Sequence, residues 1–314
     1  MKKLNLKLNI KKYTNDFSAY IKNLVAKIKQ KPSKFIFSAL MVVFSAIFLC
    51  STGFLVVYYI QSSKQAKQND NLAGIVEQVQ NEMDNNIFNP DGTLNIDSEN
   101  PLVNNNNVYV EVTDPKTGKV KDVLREYSTV YLMNPDLVGW IKIPGTKVNY
   151  PVLQNTDEAT YYLKRDFYKQ SARHGSIFAH EMADFKTPSD NITLYGHNMA
   201  DGSMFAGLHA YEDPNFYTEH PYILFDTLTT HQIYKIIAVF YTTDLPITGF
   251  AYHTFIDGDE DEFNWFVEDC KALSLYDTGE TAVPGNKLLT LSTCDHDIAD
   301  EHGRFVVVAK KVSL

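Results

Sequence analysis

The chain has 314 residues, of which 44% are hydrophobic and 13% aromatic, so it can bury a full-sized core and is not a disordered protein. Its length allows one or two domains. The net charge of -9 conceals an asymmetry: residues 1–34 hold ten lysines and one acidic residue, whereas the rest of the chain holds 19 basic and 37 acidic residues. Such an acidic body argues against a nucleic-acid partner.

An uncharged stretch of 26 residues, from Phe35 to Ile60, follows the lysines. As a helix that rises about 1.5 Å per residue, it is long enough to cross a hydrocarbon core of about 30 Å. A cleaved signal peptide is the alternative, but its apolar region has only about 7 to 15 residues. We therefore predict a basic cytoplasmic segment over residues 1–34 and a single transmembrane anchor over 35–60. The lysines before the span favour a cytoplasmic amino terminus, which leaves residues 61–314 outside the membrane.

Residues 61–124 are predicted to form an extracellular stalk, a linker and a possible hairpin. Ser62 to Asn86 has apolar residues at spacings of three and four, which indicates a juxtamembrane helix. Asn89 to Asn107 is rich in Asn, Asp, Pro and Gly, as linkers are. The alternation on both sides of the stretch DPKTG, Asp114 to Gly118, predicts two short strands joined by a turn.

Residues 125–314 show the pattern of one compact, strand-rich domain. A helix beginning near Tyr127 is followed by strand candidates around residues 139–143, 148–154, 175–179, 192–195, 222–225, 232–241, 287–292 and 305–310. Two helical stretches interrupt them, at residues 203–211 and 260–275. Many short strands with few helices predict a mainly β domain, either a barrel or a sandwich.

The three cysteines have different surroundings in the sequence. Cys50 lies within the apolar span, and Cys270 shares a helical face with apolar residues, including Phe266 and Leu273, which predicts a buried thiol. Cys294 instead ends the apolar run LLTLSTC, where a strand terminus can present a nucleophile to substrate. A disulfide between Cys270 and Cys294 is the alternative that an extracellular location leaves open.

A cysteine nucleophile needs positive charge nearby and a base. Arg304 opens the next apolar run, so a hairpin would bring its guanidinium to the strand end that carries Cys294 and allow it to stabilise an oxyanion. Nine histidines compete for the role of base, and His197 stands out because it ends the run NITLYGHN. The alternatives are His174, His180, His296 and His302. Cys294, His296 and His302 could also bind zinc, although their spacing matches no closed four-ligand pattern.

Several of these motifs together resemble the sortases. TLSTC at residues 290–294, Arg304 ten positions later and LYGHNM at 194–199 look like the family signature. The stretches NPDLVGWIKIPGTKVNYPVLQ, HGSIF and GHNMADGSMF resemble class B in particular, and the likeness covers about residues 125–314. It implies a closed eight-stranded β-barrel with peripheral helices as the catalytic domain, preceded by the transmembrane helix.

The resemblance also implies a reaction. Cys294 would attack the threonine carbonyl of a carboxy-terminal sorting motif of the NPxTx type and form a thioacyl intermediate. His197 would act as general acid and then base, and Arg304 would hold the substrate and stabilise the oxyanion. The resolving nucleophile would be an amine of a peptidoglycan precursor of the lipid II type, and no cofactor or metal is expected. Three further residues would contact the peptide: Ser292, Thr293 and Tyr252.

Alternatives of three kinds remain open at this point. A sortase of this type could polymerise pilins or hydrolyse its substrate as a cysteine protease, and a non-enzymatic envelope protein could use the same domain for binding.

Asp295 or Asp297 could tune the pKa of the histidine or the position of the arginine. The stretch Asp114 to Gly118 resembles a sorting pentapeptide and could act as a self-ligand, although Pro, Lys, Thr and Gly in this order also suit a turn.

Overall fold

The computed structural model describes residues 32–82, 107–243, 249–294 and 303–312, together with four isolated positions before residue 32. Most of the basic segment 1–34 and nearly all of the linker predicted from Asn89 lie outside the described residues. The same holds for Asp295, His296, Asp297 and His302. The chain divides into two compact units, residues 1–60 and 61–314.

Helix α1, Pro32–Glu82, carries the predicted membrane span. Among the described residues it is the one helix long and apolar enough to cross a membrane. Its apolar side chains between Ile36 and Ile60 are exposed except that of Tyr58, which is half-buried; Phe48 and Leu49, for example, are 69% and 68% exposed. A run of exposed apolar side chains of this length is suited to lipid rather than to water.

The second unit is built around a closed barrel of eight strands. In chain order the strands of this unit are β1 (Tyr109–Thr113), β2 (Val120–Leu124), β3 (Leu137–Lys142), β4 (Asn149–Leu153), β5 (Ile177–Ala179), β6 (Asn191–Tyr195), β7 (Tyr222–Thr227), β8 (Ile233–Thr243), β9 (Leu288–Cys294) and β10 (Gly303–Lys311). The barrel order is β10-β8-β7-β3-β4-β5-β6-β9, and β1 and β2 form a separate hairpin. This confirms the predicted eight-stranded barrel. The pairs β4–β5 and β6–β9 are parallel and the other pairs are antiparallel.

Helices lie in four of the described connections between strands. Helix α2 (Arg125–Met133) precedes β3, α3 (Pro214–Glu219) precedes β7, and α4 (Glu260–Leu273) precedes β9; three short 3₁₀ helices span Tyr161–Lys164, Phe205–Glu212 and Tyr252–Thr254. A capping box begins α4, since Asp259 accepts from the Glu262 amide and Glu262 accepts from the Asp259 amide. The buried face of α4 includes Phe266 and Cys270, as the spacing predicts, but Leu273 in the last turn is 42% exposed.

The carboxy-terminal half of α1 and the β1–β2 hairpin share a core with the barrel. Leu72 and Val76 of α1 and Val123 of the hairpin are buried in one apolar cluster with Tyr127 and Trp140. The segment that the sequence sets apart as stalk and hairpin therefore contributes side chains to the core of the second unit. Burial of these side chains removes from water the apolar surface that a free stalk would expose.

The DPKTG stretch forms the turn of the β1–β2 hairpin. The Gly118 amide donates to the Asp114 carbonyl at 2.8 Å, and Gly118 has a φ of 68°, which glycine adopts without strain. The Lys116 ammonium pairs with Asp136, whose side chain is only 3% exposed. These contacts favour the turn over a self-ligand, because an extended pentapeptide in a groove would break them.

A buried ion cluster joins α2 to the turn between β7 and β8. His231 lies between two carboxylates, with Nδ1 at 2.9 Å from Asp226 Oδ2 and Nε2 at 3.1 Å from Glu126 Oε1. The Tyr127 hydroxyl donates to Asp226 at 2.6 Å. Although burial by itself would lower it, the pKa of His231 rises from 6.5 to about 10 because the two carboxylates stabilise the imidazolium.

This cluster predicts a pH dependence of stability. A histidine with a raised pKa in the folded state contributes stability that is fully present below pH 6.5 and is lost as the pH rises through about 10. We expect the difference in melting temperature between the wild type and His231→Gln to be largest below pH 6.5 and to shrink toward pH 10. Thermal unfolding across this range measures it, and a difference that stays constant would contradict the assignment.

Candidate active site

Cys294 and Arg304 are direct partners across two strands. Strand β9 ends at Cys294, β10 begins at Gly303, and the antiparallel register aligns Cys294 with Arg304. The hairpin expected from the sequence is therefore confirmed. Cys270 is a second free thiol of this unit, and burial raises its pKa well above the usual range. The structure therefore has no Cys270–Cys294 disulfide, and of these two thiols only Cys294 is accessible to solvent.

His197 reaches the same end of the barrel from a different strand. Strands β6 and β9 run parallel, with Tyr195 aligned with Ser292, so the carboxyl ends of both strands meet. Gly196 separates β6 from His197, and its amide donates to the Ser292 carbonyl at 3.2 Å. A Cβ at Gly196 would lie 2.5 Å from the end of the Ile177 side chain and 2.7 Å from the Phe205 ring, so a larger residue would have to displace both. Glycine before the histidine thus lets the chain pass against the barrel wall.

The His197 ring is oriented by a backbone carbonyl. Its Nε2 lies 2.7 Å from the Leu163 oxygen, and because a carbonyl can only accept, this nitrogen carries a proton. Nδ1 is then the nitrogen that gains or loses the second proton. Gly175, with a φ of 57°, abuts the same carbonyl: a Cβ there would lie 2.4 Å from the Leu163 oxygen. The Gln65 side chain of α1 in turn donates to the Gly175 carbonyl at 2.6 Å.

A second set of hydrogen bonds holds the backbone of Cys294. The side-chain nitrogen of Asn198, Nδ2, donates to the Cys294 carbonyl at 3.1 Å and lies 3.0 Å from His209 Nε2. His209 Nδ1 lies 2.6 Å from Glu212, and the His209 ring stacks on Phe305 of β10 at 4.6 Å between centroids. Because Asn198 is the residue after His197, its side chain links the segment that carries His197 to the backbone of Cys294.

The expected peptide-contacting residues surround Cys294. The hydroxyl groups of Tyr252 and Ser292 lie 2.6 Å apart, and both residues are almost fully buried. The Thr293 hydroxyl donates to the Gly196 carbonyl at 2.8 Å, so it holds β9 against β6. Burial raises the pKa of Tyr195, whose ring packs against Phe178 at 5.4 Å.

The three residues expected to catalyse the reaction and the three expected to contact the peptide all line one cavity of about 340 Å³. The remaining lining residues are Ala159, Thr160, Leu163, Phe178, His180, Glu181, Tyr195, Gly196 and His253. Of the other candidate bases, His180 also lines the cavity, whereas His174 is buried and bonded to Asp201 at 3.1 Å. The cavity thus combines a thiol, an imidazole and a guanidinium, which are the groups needed to break and reform an acyl bond through a cysteine.

Sequence reasoning missed the residues that act through backbone contacts. Leu163, Gly175 and Gln65 support the His197 ring, yet none of them carries a group that sequence motifs associate with catalysis. The signal in the sequence was the glycine of the HGSIF stretch, Gly175, which the structure shows with a φ of 57°. Asn198 lay within the LYGHNM motif but could not be assigned a partner without the structure.

Comparison with known proteins gives the same family at each level. The Sortase domain model matches residues 141–312, more than half of the chain. Sortase B of Listeria monocytogenes is 35% identical over 196 residues, which cover 62% of this chain and 76% of the relative. Sortase B of Staphylococcus aureus is 33% identical over 190 residues, covering 60% of this chain and 75% of the relative.

Solved structures agree with the sequence relatives. Sortase B from Bacillus anthracis, in complex with AAEK1, superposes with a TM-score of 0.60 at 27% identity and covers 82% of this chain and 100% of its own. A Staphylococcus aureus sortase B–substrate complex gives a TM-score of 0.63 at 24% identity, with 81% and 99% coverage, and supports the fold. With the family model, the curated relatives and the closed barrel in agreement, the chain belongs to the sortases, the cysteine transpeptidases of Gram-positive bacteria, and within them to class B.

Proposed function

We propose that this sortase cleaves a carboxy-terminal sorting motif of the NPxTx type after its threonine and transfers the protein to an amine of a peptidoglycan precursor. The observation that carries the proposal is the cavity shared by Cys294, His197 and Arg304, in which Cys294 and Arg304 are aligned strand partners. Solved relatives have been described with a substrate and with a glycine tripeptide, so both kinds of ligand are known for sortase B proteins.

Each residue has a role that follows from its chemistry. The Cys294 thiol gives its proton to Nδ1 of His197, its sulfur attacks the threonine carbonyl, and the guanidinium of Arg304 stabilises the oxyanion. His197, with a proton held on Nε2 by Leu163, delivers its other proton from Nδ1 to the departing amine. The incoming amine then loses a proton to the same nitrogen and releases the thioacyl bond. Ser292, Thr293 and Tyr252 border the cavity and contact the bound peptide in this proposal.

The cellular arrangement forms part of the proposal. The exposed apolar part of α1 anchors the chain in a membrane, with the lysine-rich amino terminus on the cytoplasmic side and the catalytic barrel outside. Both substrates of such an enzyme, the sorting-signal protein and the lipid-linked precursor, are available at the outer face of the membrane. Wall anchoring of single proteins is the activity proposed, and pilin polymerisation is the alternative that the experiment below detects.

The decisive experiment uses the full-length protein in detergent with Asn-Pro-x-Thr-x, Ser-Pro-x-Thr-x and Leu-Pro-x-Thr-Gly peptides, and compares no acceptor, a precursor amine and a lysine-bearing protein as acceptors. Cleavage between the fourth and fifth residues, with a ligated product when amine is present, is the expected result. Cleavage that ignores the amine would identify a hydrolytic protease, and ligation to a lysine-bearing protein rather than to a precursor amine would identify a pilin polymerase. If no peptide is cleaved, the proposal is wrong.

The contact between α1 and Gly175 predicts that the juxtamembrane helix affects catalysis. Gln65→Met keeps a similar side-chain volume but removes the donor to Gly175, which abuts the carbonyl that orients His197. We expect kcat for peptide cleavage to fall roughly tenfold, with little change in KM, because a small displacement of a catalytic group is costly. Steady-state kinetics of the purified variant measure this.

A control on the same helix separates catalysis from folding. Glu77 is exposed and bonds to Asn149 at 3.1 Å, away from Gly175, so Glu77→Gln should leave kcat unchanged. The loss of one buried hydrogen bond in Gln65→Met should cost about 1 to 3 kcal/mol of unfolding free energy. A variant that is less stable but keeps the wild-type kcat would show that Gln65 has a structural role alone.

A further inference from the structure

The turn that follows β5 presents a carboxylate to the catalytic cavity. Strand β5 ends at Ala179, and the turn continues through His180 and Glu181 to Ala183, whose amide donates to the His180 carbonyl at 3.1 Å. The side-chain amide of Gln154 donates to the carbonyls of His180 and Ala183, each at 2.8 Å. A single amide thus fixes both ends of the turn. Glu181 therefore lines the cavity from a held backbone position rather than from a free loop.

Among the described lining residues, Glu181 is the sole carboxylate and Arg304 the sole side chain with a permanent positive charge. His180 Nδ1 lies 3.4 Å from Glu181 Oε2, but the same nitrogen accepts a hydrogen bond from the Met182 amide at 3.2 Å. Because that lone pair is engaged, Nδ1 carries no proton to donate to the carboxylate. His180 therefore does not neutralise Glu181 through this nitrogen, and the Glu181 side chain remains about one-third exposed, at 32%.

The charges of Glu181 and Arg304 act on the same part of the cavity. Burial is the main cause that raises the pKa of Tyr195; the negative charge of Glu181 raises it further and the positive charge of Arg304 opposes the rise. Both charges thus lie within electrostatic reach of one ring in the cavity wall. Arg304 supplies a positive charge for the oxyanion. Glu181 supplies a negative charge that has no role in the proposed cleavage of the sorting peptide.

We propose that Glu181 forms the subsite for the ammonium group of the acceptor amine. The inference rests on the proposed transpeptidation and adds a residue that recognises its second substrate. A carboxylate attracts a cationic acceptor into the cavity and holds it beside the thioacyl group, which favours transfer over hydrolysis. Attack of Cys294 on the sorting peptide does not involve the acceptor ammonium, so this first half of the reaction does not need Glu181.

The chemical step balances without any further reactant. The bound ammonium releases one proton to solvent, and as its nitrogen bonds to the acyl carbon a second proton passes to the neutral imidazole of His197. The carbon–sulfur bond breaks, and the Cys294 sulfur leaves as a thiolate. Glu181 acts before this step by binding the ammonium form, so its removal should raise KM for the amine more than it lowers kcat.

The test compares Glu181→Gln with the wild type in the full-length protein, using acceptors of different charge. Triglycine carries an ammonium group near neutral pH, whereas hydroxylamine is largely uncharged there. We expect the ratio of transfer to hydrolysis with triglycine to fall roughly fivefold to tenfold in the variant, because a partly exposed charge pair is lost. The same ratio with hydroxylamine should stay within about twofold of the wild type, since no charge is attracted.

Two controls complete the design. Glu158→Gln removes a carboxylate that lies outside the catalytic cavity, 3.8 Å from Arg165, and should leave both ratios unchanged. Peptides with lysine or glutamine at the third motif position test whether Glu181 instead binds a cationic side chain of the sorting peptide. A lost preference for lysine with unaltered acceptor use would overturn the acceptor assignment.

The outcomes also separate this inference from the function on which it rests. If the wild type cleaves no sorting peptide, the proposed function fails. If the wild type transfers peptide to triglycine and Glu181→Gln does so with the same KM and the same transfer ratio, the function stands and the acceptor subsite is wrong. An equal loss with triglycine and hydroxylamine would likewise contradict a subsite that acts through charge.

Discussion

Replacing Cys294 by alanine is expected to reduce cleavage of a sorting peptide by about 10⁴-fold or more, because the thioacyl intermediate cannot form without the sulfur. No other described thiol can substitute: Cys270 is fully buried on the inner face of α4, and Cys50 belongs to the apolar part of α1. Product analysis by liquid chromatography and mass spectrometry measures the loss. The wild type should also show a mass adduct on Cys294 when it is incubated with peptide alone.

The control for this variant is Cys50→Ala, which removes a thiol from the other unit of the chain and should keep wild-type activity. Thermal unfolding of Cys294→Ala should match the wild type closely, since Cys294 is only partly buried and ends its strand. Wild-type cleavage by Cys294→Ala, or an acyl adduct that maps to another residue, would exclude the proposed nucleophile.

Replacing His197 by glutamine is expected to lower kcat by about 10³-fold, within the range that general acid and base catalysis contributes. Glutamine preserves hydrogen bonding to the Leu163 carbonyl through its amide but cannot shuttle a proton. The variant should therefore fold normally while both the leaving amine and the incoming amine lack a proton partner. The pH profile of the residual activity should lose the limb that reports the imidazole.

His220→Gln is the matched control, because His220 lies outside the cavity and packs its ring on Phe216 at 4.6 Å. Its kcat and its pH profile should equal those of the wild type. If His197→Gln kept the wild-type pH profile, another group in the cavity, such as His180 or His253, would have to be the base.

The strand pattern was largely readable from the sequence because hydrophobic alternation is a local property. The eight strands of the barrel fall on the predicted stretches, and the partnership of Cys294 with Arg304 followed from their places at the two ends of one short connection. Leu273, at the end of α4, is exposed although its spacing predicts burial. Helical periodicity predicts which face of a helix is apolar, but not where along the helix the neighbouring strands end.

His197 marks the limit of local reasoning. It lies 97 positions before Cys294, and the two approach each other only because β6 and β9 pair in parallel. Parallel pairing of distant strands has no signature in either strand alone, so nine histidines remained candidates until the resemblance to a family selected one. The structure then brought His197 into the same cavity as Cys294 and Arg304.

The apolar span, the strand-rich body, the cysteine at a strand end and the arginine opposite it can all be read from the residues in order, because each depends on neighbouring residues and on short-range periodicity. The orientation of His197 and the backbone groups that support it follow from contacts between distant parts of the folded chain. Gln65 lies 110 positions before Gly175, and Leu163 lies 34 positions before His197; they act through backbone carbonyls and a close approach. Glu181 entered the cavity in the same way, through a turn that Gln154 holds from another strand connection. Contacts of this kind form when the barrel closes, and no local pattern encodes them.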